Sequence, residues 1–403
     1  MTRYAPTPEE AEAQIQRAFR GDIAAAAERW TRRLDFDDDP FNESSEAPLE
    51  PLGVTRSGGH GGSRGPGERD ATLETSEIPA EHITRSIVHD PIGDLDPTAA
   101  ELVARQRRGV LEAGTRGLVK IAEGRSNALT DSEAFGLEAI VLLEGRPALL
   151  VQEDSFIVPQ DSVWTEDLRR QRSSIELSLP KVGRVEVLHH PRYDWVGTAW
   201  LAGATTLLTN RHVANEFVDL SSSGEMVFRA PMSASVDFRQ ELTSVGKRDY
   251  QVVAVRGIHP DPNIDLAVLQ IEPVSSRGHR LPDGLEIAAQ PPADLLNRKV
   301  YVIGYPAFDS RNGFHAMREI FRDIYNVKRL QPGEIDAEER NRPVIHHDCS
   351  TLGGNSGSPV IDLETHQVLG LHFGGRFRQG NLALALWRLQ DDPIFQGTDV
   401  RFV

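Results

Sequence analysis

The sequence predicts an all-β barrel or sandwich over residues 182–395, preceded by a helical stretch and a small α+β region. Three observations predict it. From about residue 182 the chain breaks into short apolar strands at regular spacing, with Gly, Pro, Asn and Asp between them. Before 182 the apolar residues recur at helical intervals instead. Within that first part lies a stretch too polar to bury a core.

The elements follow in chain order. Ile15, Phe19, Ile23 and Ala27 recur every four residues, with Trp30 three further on. This spacing predicts an amphipathic helix over 8–33 within an N-terminal segment 1–34, docked on the body or open to a partner. Residues 35–80 read as a flexible linker. It opens with Asp35, Asp37, Asp38, Asp39, Glu43, Glu46 and Glu50 without a basic residue, then continues as the Gly-rich run Gly53–Gly67. Such a stretch cannot offset its chain entropy by burial. Over 81–181 the pattern predicts a small α+β accessory module. Its helices run Pro97–Glu123, with Leu102, Val110, Leu111, Leu118 and Ile121, and Asp131–Glu144; a short strand follows at Arg146–Val151. From 182 the strands include Val185–Leu188, Val196–Leu201, Thr205–Thr209, Val252–Val255, Leu266–Ile271, Val300–Ile303, Val360–Ile361, Val368–Phe373 and Leu382–Leu386.

Composition narrows the function classes. The 403 residues suit two or three domains, and 39% hydrophobic content is ordinary for a globular chain. A net charge of −16 argues against general binding of nucleic acid or of an anionic membrane surface. No apolar run reaches the roughly 18 residues of a membrane-spanning helix, and the opening residues lack the apolar core of a signal peptide. A cytoplasmic setting is therefore expected. Cys349 is the only cysteine, which leaves no disulfide framework and no cysteine metal cluster. His346-His347-Asp348-Cys349 has metal-ligand residue types, but neighbours on a strand point to opposite faces. No metal and no cofactor is expected.

Three separated motifs carry chemistry. Thr209-Asn210-Arg211-His212-Val213-Ala214 follows an apolar strand, Asp261 to Val268 leads into one through Asp265, and Gly353-Gly354-Asn355-Ser356-Gly357-Ser358-Pro359-Val360 opens another. A serine hydroxyl is a poor nucleophile at neutral pH and needs a base within hydrogen-bond reach. The imidazole of His212 suits that task, and the Asp265 carboxylate would fix its tautomer. Gly354 and Gly357 let the backbone turn sharply at Ser356, so that the N–H groups of Gly354 and Ser356 can converge on an oxyanion. The chain order His, Asp, Ser is that of the chymotrypsin-like double barrel.

On these motifs, together with Ser350-Thr351-Leu352 and Val368-Leu369-Gly370-Leu371-His372-Phe373-Gly374-Gly375, residues 182–395 resemble a trypsin-like serine protease. Within that superfamily they are most similar to the bacterial glutamyl endopeptidase, or V8-like, branch. The resemblance implies two six-stranded barrels with the cleft between them. It implies His212 as general base, Asp265 as its orienter and Ser356 as nucleophile. It also implies a substrate pocket with Ser350 at its base and with Thr351 and His372 donating to a substrate Glu or Asp side chain. An acyl-enzyme mechanism on protein or peptide substrates, without cofactor, is the expected function.

Some features depart from that branch. About 180 residues precede the barrels, and the residue before Ser356 is Asn355, so activation by an amine pairing with a carboxylate there is excluded. The segment Ala307–Arg342 reads as an insertion holding an amphipathic helix with Met317, Ile320, Phe321, Ile324 and Tyr325. The N-terminal region would bind a regulatory partner or restrain the cleft. The rival function is a catalytically silent protease-fold adaptor, which a serine-directed active-site probe would leave unlabelled.

Overall fold

The computed structural model describes residues 12, 15, 16, 18, 19, 21–35, 97–141, 145–159, 162–244, 246–307, 324–376 and 380–403. The linker expected over 35–80, past Asp35, lies outside the described residues, as does most of the helix expected within 307–342. The chain divides into two compact units. One holds the N-terminal helices up to Gly145; the other holds Arg146–Pro159 and Trp164–Val403.

The first unit contains α1 (Ile23–Asp35), α2 (Pro97–Ala122) and α3 (Asp131–Ile140). Ile15, Phe19, Ile23, Ala27 and Trp30 are buried against Leu111, Leu118 and Ile121 of α2 and Leu137 and Ile140 of α3. The amphipathic stripe thus has its partner within its own unit. The single helix expected over 8–33 is broken. Gly21 takes a left-handed turn (φ +80), its N–H closing on Gln16 O at 2.8 Å, and Asp22 then accepts the Ala25 amide as a cap for α1.

The α+β module expected over 81–181 is not one unit. Strand β1 (Leu149–Gln152), β2 (Ser155–Phe156) and α4 (Thr165–Ser178) group with the barrels. Val151 and Phe156 alternate inward in the β1–β2 hairpin and are buried, and β1 finds its other partner in a strand of the second barrel.

The first barrel is built from β3 (Val182–Leu188), β4 (Trp195–Leu201), β5 (Thr206–Thr209), β8 (Ser233–Asp237), β9 (Asp249–Ile258) and β10 (Ala267–Ile271). It closes in the order β10-β5-β4-β3-β8-β9, while β6 (Val218–Leu220) and β7 (Met226–Phe228) form a separate hairpin. Val185, Ala199, Leu207, Val236, Val252 and Leu269 meet inside it. The second barrel comprises β11 (Lys299–Gly304), β12 (Arg329–Glu339), β13 (Val344–His347), β14 (Pro359–Asp362), β15 (Val368–Arg376) and β16 (Gly380–Ala385). Its order is β11-β14-β15-β16-β13-β12, and β12 returns to β11 to close it. Val300, Val302, Ile345, Val360, Leu369 and Ala383 fill its centre.

Strand β12 corrects a further expectation. Residues 329–339 are not part of an insertion; they pair with β11 along one edge and with β13 on the other. The remaining edge at Arg329–Leu330 takes β1, with Leu149 opposite Leu330 and Leu150 opposite Arg329.

The ammonium of Lys328, just before β12, is fully buried. It donates to Leu179 O and Phe238 O, each at 2.8 Å, and to the Glu241 carboxylate at 3.3 Å. Its own amide donates to Gln240 O, so one residue ties the second barrel to the end of the first. Lys328→Met should cost about 3–5 kcal/mol in urea unfolding, because it leaves a buried carboxylate without its cation. The double change Lys328→Met/Glu241→Gln should recover part of that loss.

Candidate active site

Strand β5 ends at Thr209 and the chain turns at Asn210 into a single helical turn, α5 (Arg211–Ala214), which carries His212. Pairing of β5 with β10, Thr209 opposite Ala267, brings the start of β10 beside that turn. Asp265 lies there. Its Oδ1 accepts the His212 amide at 2.9 Å and its Oδ2 meets the imidazole Nδ1 at 2.6 Å. A carboxylate only accepts, so the ring carries a proton on Nδ1, and the carboxylate selects that tautomer of the imidazole. Buried Asn210 supports the arrangement by donating Nδ2 to Asp265 O at 2.9 Å.

Ser356 sits on the turn between β13 and β14. Gly354 and Gly357 on either side both take φ +91. An added Cβ on Gly354 would lie 2.4 Å from the Trp195 ring and from Tyr305 O; on Gly357 it would lie 2.0 Å from Thr198 O. Only glycine fits either position. The turn is held from β4 of the first barrel: the Thr198 amide donates to Ser356 O at 2.9 Å, and its hydroxyl donates to Gly354 O at 2.8 Å. Gly197 brings the two loops together, since a Cβ there would strike both Val213 and Ser356 O. The N–H groups of Gly354 and Ser356 donate to no protein acceptor among the described residues. Among the described residues the Ser356 hydroxyl and the His212 ring share no hydrogen bond.

The three residues expected in the pocket differ in what they can offer. Ser350 is buried and its hydroxyl donates to Arg146 O at 2.6 Å. Thr351 donates its hydroxyl to Asn381 Oδ1 at 2.7 Å, and Asn381 is oriented by its own Nδ2 donating to Cys349 O at 2.6 Å. Both hydroxyl protons are therefore committed within the protein, and neither is free for a substrate carboxylate. His372 differs. It is fully buried, its Nδ1 lies 3.1 Å from His347 Nε2, and its Nε2 has no partner among the described residues. His346, the neighbour of His347 on β13, turns to the other face and meets Glu339 at 3.1 Å.

Sequence inspection missed Thr198, Trp195, Asn210, Arg146 and His347. Thr198 and His347 act through partners 156 and 25 positions away. Asn210 lay inside a motif already singled out, so the signal was present.

Residues 197–371 match the family model of the trypsin-like peptidase domain. Residues 197–371 carry a trypsin-like peptidase domain. A protein named probable serine protease from Lysobacter enzymogenes is 28% identical over 335 residues, covering 75% of this chain and 85% of that one. A glutamyl endopeptidase of Staphylococcus epidermidis is 29% identical over 184 residues, covering 44% of this chain and 54% of that protein. The chain thus spans about half the length of that endopeptidase. The solved active form of the Rv3671c protease from M. tuberculosis is 19% identical with a TM-score of 0.37, covering 56% of this chain and 85% of that one. The trypsin-like peptidase is a serine endopeptidase, a hydrolase of peptide bonds.

Burial pushes the His347 imidazole down to about 3, helped by His346. Burial also holds His372 well below the usual range, with His347 and His212 adding to the effect. Both rings stay neutral at pH 7. In the unfolded chain they protonate near 6.5, so the unfolded state binds more protons as pH falls below that value. Stability should therefore decline as pH falls below about 6.5, and the His347 contribution is lost progressively down to about 3. His347→Leu should remove about one proton from that slope in denaturant titrations at several pH values.

Proposed function

We propose that the protein cleaves peptide bonds through His212, Asp265 and Ser356, with a preference for Glu or Asp at the residue before the scissile bond. The observation that carries this is the pairing of Asp265 with His212 beside a turn whose Gly354 and Ser356 amides have no protein acceptor among the described residues.

In this mechanism Ser356 Oγ attacks the substrate carbonyl and His212 Nε2 takes the hydroxyl proton. Asp265 holds the ring and stabilises the imidazolium. The carbonyl oxygen becomes an oxyanion that the Gly354 and Ser356 N–H groups receive. Collapse of the tetrahedral species breaks the C–N bond, and His212 returns the proton to the departing amine. Water then adds to the acyl-enzyme with His212 again as base, releasing the acid and restoring Ser356. A helical unit with its own closed core, as in the N-terminal residues, suits restraint or recognition by a regulatory partner. Cys349, buried and unpaired, is compatible with an intracellular setting.

The acidic preference rests on His372. One proton is shared across the His347–His372 contact. If His347 Nε2 donates to His372 Nδ1, then His372 carries its proton on Nε2 and can donate to a carboxylate. The relatives named glutamyl endopeptidase support the same choice. Ser350 and Thr351 shape the pocket rather than donate into it.

Ser356→Ala should abolish turnover, by about 10⁶-fold, with unchanged unfolding; residual activity near wild type would exclude Ser356. Cleavage profiling on a peptide library should show Glu first and Asp second. His372→Leu should erase that preference while sparing cleavage after small apolar residues, and a profile dominated by Arg or Lys would overturn the pocket assignment.

A further inference from the structure

The segment that leads to the nucleophile turn is fixed by a residue more than 200 positions away. Arg146 is buried, and its guanidinium makes a short ion pair with Asp348 and lies 3.9 Å from Glu334. Its carbonyl takes the Ser350 hydroxyl at 2.6 Å. Its cation stacks over Trp164 at 5.7 Å. Asp348 uses its other oxygen to accept the Glu334 amide at 2.7 Å. The side chain and the backbone of one residue therefore hold positions 348 and 350 together.

We propose that Arg146 is a positioning and specificity-determining residue of the primary substrate pocket. It fixes the pocket base through Ser350 and cancels the negative charge that Asp348 and Glu334 place beside it. This rests on the assignment of Ser350, Thr351 and His372 to that pocket. The charge balance is what gives the role a function. A pocket for an acidic side chain cannot tolerate uncompensated carboxylates near its base, because like charges at short range in a poorly solvated site repel strongly. With Arg146 present, the Asp348 carboxylate is neutralised where it stands. Burial by itself would lower the Arg146 pKa, but Asp348 foremost, then Glu334, raise it, so the cation persists at all working pH values.

The test uses the full chain and two peptide substrates differing only in Glu or Gln before the scissile bond. A fluorophosphonate probe that requires no such side chain reports on Ser356 separately. Arg146→Gln should lower kcat/KM for the Glu substrate at least about tenfold more than for the Gln substrate, mainly through KM. Probe labelling of Ser356 should persist. Arg146→Lys should restore most of the Glu/Gln ratio, and so should Arg146→Gln/Asp348→Asn, which removes the unpaired carboxylate. Asp348→Asn alone should raise the ratio above wild type. This variant keeps the arginine and tests the charge balance even where Arg146→Gln fails to fold. A ratio that stays at the wild-type value in Asp348→Asn, and in Arg146→Gln where that variant labels with the probe, would overturn the proposal. Equal losses on both substrates in Arg146→Gln, unrescued by the second change, would reduce Arg146 to a structural ion pair and overturn it as well. A wild-type chain that takes no probe would sink the peptidase assignment itself, and the proposal with it.

Discussion

Strand β4 of the first barrel reaches the turn that carries Ser356, and Thr198 grips that turn at two points. Its amide takes Ser356 O and its hydroxyl takes Gly354 O. With both carbonyls engaged by Thr198, the Gly354 and Ser356 amides have no protein acceptor among the described residues. Trp195 packs beneath Gly354, and Thr198 O lies where a Gly357 side chain would be. In the proposed mechanism these amides are donors preorganised by packing from the opposite barrel, with no rearrangement needed as charge develops. Lys328, buried between three acceptors, keeps the barrels in the relation that this grip requires.

Much of this was legible in the sequence where the signal is local. His212, Asp265 and Ser356 stand in short motifs flanked by strands, and the strands named from Val185 to Leu386 fall within or overlap strands of the two barrels. The helix over Pro97–Ala122 and the apolar stripe from Ile15 to Trp30 were equally visible. The break at Gly21 was not read, although glycine followed by aspartate is a stop and a cap in sequence. Strand β12 was mistaken for insertion because Pro332, Gly333 and four acidic residues between 334 and 339 hide its alternation.

What stayed hidden depends on register. His346 and His347 are indistinguishable in sequence, yet the pairing of β13 with β16 and of β16 with β15 sends only His347 to His372. Thr351 reads as a free hydroxyl until Asn381 is seen to accept its proton. Arg146 reads as the start of a strand, because nothing near it in the chain announces Asp348. These residues act through partners that only the closed barrel supplies.

The long separations have a kinetic side. Arg146 meets Asp348 across 202 positions and Ser350 across 204, while Thr198 meets Gly354 across 156. Contacts of such range form late, after the entropy of closing large loops has been overcome. A nascent chain that has closed only its first barrel holds His212 and Asp265 but has neither the serine turn nor the pocket base. On the proposed mechanism, cleavage therefore waits for the last strands of the second barrel, and a chain that has closed one barrel alone carries half of the machinery.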